Sequence, residues 1–466
     1  MFDKLDGMYS KNTAIITDDG RDFKYSDLGQ FSYEIAKVIL KRSLVLCLCG
    51  NNVGTLFGYF SFIRNGIVPL MLEEKIDEDL LENLCHIYGP QYVWLPSSKV
   101  GLFPDKDALF SLHEYSLIMI RKECKFPLHD DLAILLTTSG STGSPKLVRL
   151  SYRNLEANAQ SIGKYLSISE LDRPITTLPM SYSFGLSIIN SHLIFGATIF
   201  LTSKSVIERG FWDFVKERHV TSLSGVPYTF EILKKIKFFS MKLPSLSVLT
   251  QAGGKMHIDL AKQYAKFCHE NNIRFFSMYG QTEATARMSY LPPEFSRSKL
   301  GSIGIAIPGG EFSLVDDQGN VVNQSNESGE LVYKGKNVSM GYASGVQDLI
   351  RGDENHGALM TGDLALRDDD GFYYIVGRKS RFIKIYGNRV NLDEAEQLIK
   401  KITDDVACVG SDDKMIIYIT DESLVSEVRS FIATKTGINF RVFEVRVIVD
   451  IPKSSSGKVI YRDLQT

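Results

Sequence analysis

Thr137-Thr-Ser-Gly-Ser-Thr-Gly-Ser-Pro-Lys146 stands between two apolar runs, Ala133-Ile-Leu-Leu136 and Leu147-Val-Arg-Leu-Ser151. The flanking runs predict strands, so the segment between them is a loop rich in glycine and hydroxyl residues. Such a loop turns backbone N–H groups and hydroxyls toward one point, which suits phosphate oxygens, and Lys146 adds a positive charge. It is not the phosphate loop of the NTPases, which needs Gly-Lys-Ser/Thr opening a helix. The alternative is a flexible surface turn, since clusters of Ser, Thr and Gly often form one.

On both sides of this loop, from about residue 43 to residue 290, short apolar runs alternate with amphipathic stretches. Residues 43–49 precede a predicted helix near residues 55–64, and residues 67–72 precede one near residues 77–86. Alternation of this kind predicts an α/β protein in which helices pack on largely parallel sheets.

Toward the C-terminus the pattern changes twice. Between about residues 300 and 377, short strands are separated by Gly, Asp and Asn turns, which predicts a compact β-rich subdomain. After residue 379, two helices, the first capped by Asn391 and predicted to end near Ile402, alternate with strands and indicate a small α+β unit. We therefore expect an N-terminal domain of residues 1–379 and a C-terminal domain of residues 380–466.

The length, net charge and cysteine content of the chain exclude several classes of protein. A length of 466 residues exceeds one ordinary hydrophobic core, so about two to three domains are expected. The net charge of -2 provides no basic surface for nucleic acid, and no apolar run approaches the roughly 18 residues of a membrane-spanning helix. The N-terminus has no pattern of a secretory signal, and six cysteines do not form a disulfide framework in so long a chain. Core thiols and a cytoplasmic location are therefore expected.

A second motif, Ser277-Met-Tyr-Gly-Gln-Thr-Glu283, follows an apolar strand. Tyr279 offers an aromatic face, Thr282 a hydroxyl, and Glu283 a hard oxygen ligand for Mg²⁺. The alternative is an ordinary strand-to-helix turn in which Thr282 or Glu283 caps the helix.

Three further motifs are weaker. In Thr361-Gly-Asp-Leu364, Asp363 can bind a ribose diol through both carboxylate oxygens, although Gly-Asp is also a common turn. Gly377-Arg378 is followed by Lys384-Ile-Tyr-Gly387-Asn-Arg389. Pro452-Lys-Ser-Ser-Ser-Gly457-Lys458 stands near the C-terminus, where a lysine is usually a solvated charge.

Taken together, in this order and spacing, the five motifs resemble those of the adenylate-forming superfamily. Its members are acyl-CoA synthetases, non-ribosomal peptide adenylation domains and luciferase-like enzymes, and the resemblance extends from about residue 10 to the end of the chain. It implies that ATP and Mg²⁺ activate a carboxylic acid to an acyl-adenylate with release of pyrophosphate. The acyl group would then pass to a thiol, either of CoA or of the phosphopantetheine on a separate acyl or peptidyl carrier protein.

The resemblance also implies a role for each motif. Tyr279 would stack on adenine, Asp363 would hold the ribose hydroxyls, and Glu283 would hold Mg²⁺. Thr282 would contact the α-phosphate, and Lys458 would bridge that phosphate and the substrate carboxylate. Glu283 and Lys458 would thereby neutralise charge where it develops, because two mutually repelling anions have to react. The residues implied to bind ATP or AMP are Thr138, Ser139, Gly140, Ser141, Thr142, Gly143, Lys146, Gly253, Gly254, Tyr279, Gly280, Gln281, Asp363 and Arg378.

In this superfamily the small C-terminal domain is a mobile lid that rotates after adenylation. The rotation would replace Lys458 with a face that includes Lys384 and Gly387, and Gly387 would leave room for a pantetheine thiol. Ser380 aligns with the hinge, where many relatives carry Asp or Lys.

The acid itself is only partly constrained by the sequence. Leu178-Pro-Met-Ser-Tyr-Ser-Phe-Gly-Leu186 matches the segment that borders the acyl pocket, which makes Tyr182 and Ser183 candidate contacts, although Tyr182 could equally be a wall of the core. No acidic residue lies between Leu178 and Phe195, and a buried α-ammonium without a carboxylate partner would be costly, so an α-amino acid is disfavoured.

Several alternatives stay open on the sequence alone. One is a stand-alone adenylation enzyme that loads an amino or hydroxy acid onto a carrier protein. Another is a catalytically inactive relative that binds nucleotide, although Glu283, Asp363 and Lys458 are all present. A luciferase-type oxidation has no specific support. Only eight residues follow Lys458, so any carrier is expected to be a separate chain.

Overall fold

The computed structural model describes residues 1–104, 106–121, 126–137, 146–385, 388–411, 413–436, 438–454 and 458–464. Its helices are α1 Leu5–Met8, α2 Tyr25–Ile35, α3 Val53–Arg64, α4 Glu78–Tyr88, α5 Tyr152–Leu166, α6 Ser183–Leu193, α7 Arg209–Glu217, α8 Pro227–Lys235, α9 Ile258–Glu270, α10 Leu392–Ile399 and α11 Val425–Thr436.

The strands follow the same alternation along the chain. They are β1 Thr13–Thr17, β2 Asp22–Lys24, β3 Leu44–Cys49, β4 Val68–Glu73, β5 Tyr92–Pro96, β6 Ala108–Leu112, β7 Tyr115–Met119, β8 Leu132–Thr137, β9 Leu147–Ser151, β10 Pro174–Ile175, β11 Ile199–Leu201, β12 Ser222–Gly225, β13 Val248–Gln251, β14 Arg274–Tyr279, β15 Ser289–Tyr290, β16 Ile305–Ala306, β17 Gly310–Val315, β18 Ser328–Gly335, β19 Gly341–Ala343, β20 Ala358–Arg367, β21 Tyr373–Arg378, β22 Phe382–Ile385, β23 Asn388–Asn391, β24 Val406–Ser411, β25 Lys414–Ile419 and β26 Phe443–Val447.

Within the described ranges, two large sheets form the body of the molecule, and each has a parallel centre with antiparallel edges. The first has nine strands in the order β16-β15-β14-β13-β12-β10-β11-β1-β2 and is parallel from β14 to β1. The second has eight strands in the order β19-β9-β8-β4-β3-β5-β7-β6 and is parallel from β8 to β5. Parallel neighbours need long crossover connections, usually helices, which is why apolar runs and helical stretches alternate in the sequence. The predicted α/β class is confirmed.

Strand β3 shows why the central strands lack the polar alternation of surface strands. Val45 and Cys47 pack into the core between the two sheets, whereas Leu46 and Leu48 pack on the opposite face of the eight-stranded sheet. Because both faces are covered, every position of the strand is apolar. Cys47 is a free, buried thiol, as its place in this run predicts.

Helices cover the sheets in layers. α2, α3, α5 and α6 contribute to the core between the two large sheets. α7, α8 and α9 cover the other face of the nine-stranded sheet, and α4 covers the other face of the eight-stranded sheet. β13 and β14 are parallel neighbours and end at the same edge of the nine-stranded sheet, and ligands of open α/β sheets bind at the carboxyl ends of such strands.

The predicted β-rich section is not a separate body. Its centre is an antiparallel sheet in the order β17-β18-β20-β21, with its own apolar core around Leu331 and Tyr333. However, β16 pairs with β15 at the edge of the nine-stranded sheet, and β19 pairs with β9 at the edge of the eight-stranded sheet. The section is therefore joined to both large sheets.

The C-terminal section is the small α+β unit that the sequence predicts. The hairpin β22-β23 and the sheet β24-β25-β26 share one apolar core with α10 and α11. The Asn391 side chain caps α10 by accepting from the backbone N–H groups of Asp393 and Glu394. α10 ends at Ile399 rather than near Ile402, because the chain tightens there into a turn in which the N–H of Ile402 donates to the carbonyl of Ile399.

Across the part of the chain that the structure describes, no helix combines the length and the apolar character needed to cross a membrane.

Candidate active site

One buried carboxylate, that of Asp363, organises the predicted nucleotide site. The pairing of β20 with β21 places Asp363 directly opposite Arg378, and the Arg378 Nε donates to Asp363 Oδ1 at 2.9 Å. The Tyr279 hydroxyl donates to Asp363 Oδ2 at 2.5 Å, and the Gln281 amide donates to the same oxygen at 3.0 Å. Three donors thus orient the carboxylate, while each oxygen keeps acceptor capacity for a further hydroxyl.

Tyr279 is held as a hydrogen-bond donor. Burial, and then the neighbouring Asp363 carboxylate, raise the pKa of Tyr279 well above its usual value, so its hydroxyl stays protonated at neutral pH. The Gln281 amide also donates to the carbonyl of Thr361 at 2.9 Å, which ties the end of β14 to β20. The second and third sequence motifs therefore meet at Asp363.

The loop after β14 is held by contacts on both sides. Thr282 and Ser183 share a hydrogen bond of 3.0 Å, so the predicted catalytic motif touches the predicted acyl segment. The Glu283 carbonyl accepts from the N–H of Ser339 at 2.8 Å. Gly280 is required at the start of this loop, because a Cβ there would overlap the carbonyl oxygen of Ala286.

Glu283 has a partner that the sequence analysis missed. The hydroxyl of Tyr342, on β19, donates to Glu283 Oε1 at 2.6 Å. Burial, and then Glu283, raise the pKa of Tyr342, so the phenol remains a donor. The pairing of β19 with the distant β9 and the hydrogen bond from Ser339 to the Glu283 carbonyl together bring Tyr342 to Glu283, a contact that sequence spacing does not indicate.

The residues present fit Mg²⁺ held jointly by protein and nucleotide. Mg²⁺ commonly binds through one or two carboxylates together with substrate phosphates. Among the described residues, no three acidic, histidine or cysteine side chains converge as a self-sufficient metal site. Glu283 would therefore supply the carboxylate, and the remaining ligands would come from ATP and water.

Lys458 lies in the same cleft, although it belongs to the C-terminal section. Its Nζ is 5.4 Å from the centroid of the Tyr182 ring. Burial, and then Arg378, lower the pKa of Lys458, whereas Glu283 and Asp363 act to raise it. Because the charges of Arg378, Glu283 and Asp363 all affect its pKa, the Lys458 ammonium is within electrostatic reach of the predicted phosphate and ribose positions.

Nearby contacts hold the C-terminal segment against the N-terminal part. Lys453 Nζ lies 5.2 Å from the centroid of the Tyr228 ring and also pairs with Asp405 at 3.0 Å. Within the C-terminal segment itself, the N–H of Lys458 donates to the Ser454 hydroxyl at 3.2 Å.

The loop that contains two of the glycines implied to bind ATP or AMP lies next to this cleft. Gly253 and Gly254 follow β13, the parallel neighbour of β14. Gly253 has a φ of +85°, and a Cβ there would lie 2.6 Å from the Tyr182 hydroxyl, so glycine is required on both counts. The Gly254 carbonyl accepts from the Gln251 amide at 2.9 Å, which fixes the loop to the end of β13.

Some predicted site residues cannot be placed in this geometry. Thr138, Ser139, Gly140, Ser141, Thr142, Gly143 and Gly387 lie outside the described residues. Lys146 is exposed just before β9. Lys384 lies on β22 and Ser380 lies in the turn Lys379–Arg381, but their side chains are not described. The phosphate-loop, thiol-site and hinge assignments stay predictions.

Arg287, which lies beside the predicted acyl segment, is a second residue whose place at the site the sequence motifs did not indicate. Its guanidinium carbon is 3.8 Å from the centroid of the Phe184 ring, and the residue is 2% exposed. Its Nε donates to the Ser187 hydroxyl at 3.3 Å and its Nη1 contacts the Met278 sulfur at 2.8 Å. The sequence offered one sign that Arg287 is functional: a charged residue stands between the apolar Ala286 and Met288, shortly after the motif that ends at Glu283.

Comparison with known proteins agrees with this geometry. Residues 4–343 match the AMP-binding enzyme family. The chain therefore belongs to the AMP-binding enzyme family, and the predicted recognition is confirmed.

Two relatives of known sequence are both named as CoA ligases. A 2-succinylbenzoate–CoA ligase of Bacillus velezensis is 32% identical over 268 residues, which cover 57% of this chain and 53% of that protein. A 2-succinylbenzoate–CoA ligase of Oceanobacillus iheyensis is 26% identical over 97% of this chain and 95% of its own length. The matched segment thus spans about half of the first relative and nearly all of the second.

Solved structures of O-succinylbenzoate Coenzyme A synthetase from Bacillus subtilis have the same fold. Its complex with ATP and magnesium ion is similar with a TM-score of 0.80 and 22% identity, covering 100% of this chain and 99% of the other. Its complex with the acyl-adenylate intermediate OSB-AMP gives a TM-score of 0.81 at the same identity, covering 100% and 97%.

Proposed function

We propose that the protein is an acid–thiol ligase that uses ATP and Mg²⁺ to make an acyl-adenylate and then an acyl-CoA. The observation that carries this proposal is the position of Lys458 beside Tyr182, within electrostatic reach of Arg378, Glu283 and Asp363. A cation from the C-terminal section at this place can neutralise charge between two anionic reactants. The relatives are named as CoA ligases, and a structural neighbour binds ATP and magnesium ion, which agrees with the predicted enzyme class and cofactors.

In the first step, a carboxylate oxygen of the acid attacks the α-phosphorus of ATP. The bond between that phosphorus and the bridging oxygen breaks, and pyrophosphate leaves with the electron pair. Asp363 and Tyr279 would hold the nucleoside, and Lys458 would lie between the carboxylate and the α-phosphate. Glu283 would hold magnesium, which when bound would neutralise charge on the phosphates. Holding both reactants in one orientation supplies much of the remaining rate enhancement.

In the second step, a thiol sulfur attacks the acyl carbonyl carbon and its proton passes to solvent. AMP leaves with the electrons of the bond between the carbonyl carbon and the phosphate oxygen. CoA is the acceptor in the names of the relatives, so we propose CoA, and a carrier protein remains the alternative acceptor.

We further propose that residues 380–466 act as a lid and that Ser380 is its hinge. Lys379 pairs with Glu330, on β18, at 2.9 Å. Arg381 pairs with Glu396, on α10, at 2.6 Å. The backbone at residue 380 therefore stands between an ionic anchor to the large N-terminal part and one to the C-terminal unit, which supports rotation at this point.

The test is pyrophosphate exchange into ATP with a panel of acids, followed by detection of the CoA thioester by mass. The panel includes 2-succinylbenzoate, 4-coumarate, long-chain fatty acids and α-amino acids. Magnesium-dependent exchange with a non-amino acid, followed by a thioester with CoA, is expected. Absence of exchange with every acid would contradict the proposal, and exchange with amino acids alone would favour the amino-acid adenylation alternative.

A further inference from the structure

Two arginines, Arg149 and Arg287, are deeply buried among the described residues, and Arg149 is paired with an acidic side chain. Arg149, like Arg287, is among the largest fully buried side chains. The Arg149 guanidinium forms an ion pair with Glu354 and also donates to backbone carbonyls, including those of Tyr342 and Met340. Arg149 therefore has the carboxylate partner and the acceptors that a buried guanidinium needs.

Arg287 differs from Arg149 in its surroundings. Among the described residues, no carboxylate pairs with it, and its contacts are one hydroxyl, one thioether sulfur and the Phe184 ring. A cation–π contact recovers only part of the free energy that burial of an ion costs. The Phe184 ring alone does not offset the burial of this charge.

The other titratable neighbours cannot provide the missing negative charge. Tyr165 and Tyr182 lie close enough to interact with Arg287, but burial raises the pKa of each to about 12, so both are neutral phenols at pH 7. His192 is also near, and burial lowers its pKa to about 4, so it is neutral as well.

Arg287 lies beside the segment that is predicted to border the acyl pocket. Phe184 and Tyr182 belong to the segment that borders this pocket, and their ring centroids are 6.3 Å apart. Lys458 approaches the Tyr182 ring and Arg287 stacks on the Phe184 ring, so two adjacent aromatic rings separate the two cations. Ser187, which accepts from Arg287, also lines a small cavity with Ser183, next to Thr282.

A further unsatisfied polar atom lies at the same place. The Asn158 amide nitrogen donates to the backbone carbonyl of Arg287 at 2.9 Å, and its Oδ1 is buried without a hydrogen-bond partner among the described residues. Asn158 lines the same small cavity as Ser187. Buried polar groups are normally paired, so this acceptor suits a hydroxyl or N–H donor of a ligand, whereas a carboxylate pairs with Arg287 alone.

We propose that the substrate is a dicarboxylic acid whose second carboxylate pairs with Arg287 while the first is activated beside Lys458. The inference rests on the proposed function, because it assigns the acid of that same site. It also agrees with the expectation that an α-amino acid is disfavoured, because a fixed guanidinium would repel an α-ammonium in a buried pocket.

The test uses symmetrical diacids, each compared with its monomethyl ester, so that the reacting carboxyl group is the same in both. Glutarate, adipate, pimelate, suberate and phthalate form the series, with octanoate, benzoate and 2-succinylbenzoate alongside. We expect kcat/KM for exchange to favour the best diacid over its half-ester by about 100-fold or more, since a buried charge left unpaired is penalised strongly. In Arg287→Met the ratio should fall below about 10-fold, with KM for ATP unchanged.

Arg274→Met is the matched control. Arg274 lies 5.8 Å from the Phe276 ring and donates to the Leu166 carbonyl, but it is not fully buried. Arg274→Met should keep the wild-type preference for the diacid over its half-ester. Replacement of an unpaired buried charge by an apolar side chain is often neutral or stabilising, so the Tm of Arg287→Met should not be lower than that of the wild type.

Three results would overturn the inference while the proposed function stands. The wild type could use half-esters or monocarboxylic acids as well as diacids. Arg287→Met could lower kcat/KM for the diacid and for its half-ester equally, which would place the guanidinium at the reacting carboxylate. A lowered Tm with unchanged preference would make Arg287 structural. If no acid supports exchange, 2-succinylbenzoate included, the proposed function itself fails and the inference falls with it.

Discussion

Lys458 is the residue on which the proposed chemistry depends. Replacing it with alanine removes the cation between the carboxylate and the α-phosphate. Adenylation should fall on the order of 100- to 1,000-fold, the usual effect of losing one charge-stabilising group. Pyrophosphate exchange measures this, and circular dichroism should show an intact fold because the side chain contributes no core contact. Exchange at the wild-type rate would contradict the proposed mechanism.

The pH dependence of the same residue provides a second prediction. Burial lowers the pKa of Lys458, so its ammonium loses its proton at a lower pH than a free lysine does. Exchange should therefore decline as the pH rises through this lowered pKa. Between the folded and unfolded pKa values the unfolded chain binds the extra proton, so this group makes stability rise with pH in that window. Profiles of kcat/KM at about pH 6 to 10 measure the decline.

Lys458→Arg is the control for that profile. Its guanidinium stays protonated throughout, so the alkaline decline should disappear or move beyond the measured range, whatever the absolute rate. An unchanged decline in Lys458→Arg would assign the titration to another group.

At the scale of a single element, Asn391 joins α10 to the strand before the predicted hinge. Its side chain accepts from two N–H groups of α10, and its amide donates to the Val376 carbonyl, on β21, at 2.7 Å. Asn391→Ala should lower the free energy of unfolding by about 1 to 2 kcal/mol, because it removes a helix cap and leaves a carbonyl without its donor. Urea denaturation followed by circular dichroism measures the change.

Asn391→Asp separates the two contributions. An aspartate keeps the cap but cannot donate to Val376, so its loss of stability should be smaller than that of alanine. Equal losses in the two variants would show that the cap contributes nothing measurable.

At the scale of the whole molecule, the two reaction steps need two arrangements of the same chain. Lys458 occupies the cleft in the present arrangement, and Lys384 and Gly387 are predicted to replace it for thiol transfer. Ser380→Pro fixes φ at the predicted hinge. Adenylation should persist in this variant, whereas CoA thioester formation should fall by about 10-fold or more, because lid rotation is required only between the steps.

The two steps can be measured separately in that variant, by pyrophosphate exchange and by conversion of preformed acyl-adenylate with CoA. Ser380→Ala is the control and should keep both rates, since it leaves rotation free. Equal loss of both steps in Ser380→Pro would indicate a folding defect, and loss of neither would contradict the hinge.

The sequence by itself determined the order of motifs, and with it the family, the α/β class, and the identity of Tyr279, Glu283, Asp363 and Lys458 as candidate site residues. These follow from local chemistry, because strand and helix periods, turn residues and motif spacing are all properties of neighbouring positions.

Only the tertiary structure decided which distant side chains meet. Tyr342 reaches Glu283 with the help of the pairing of β19 with β9, and Arg287 stacks on Phe184 with no carboxylate partner among the described residues. A contact between residues far apart in the chain leaves no periodic trace in sequence, and neither does a missing counter-charge. The charge balance of the acyl pocket, and the class of acid we infer from it, therefore became visible only in the folded chain.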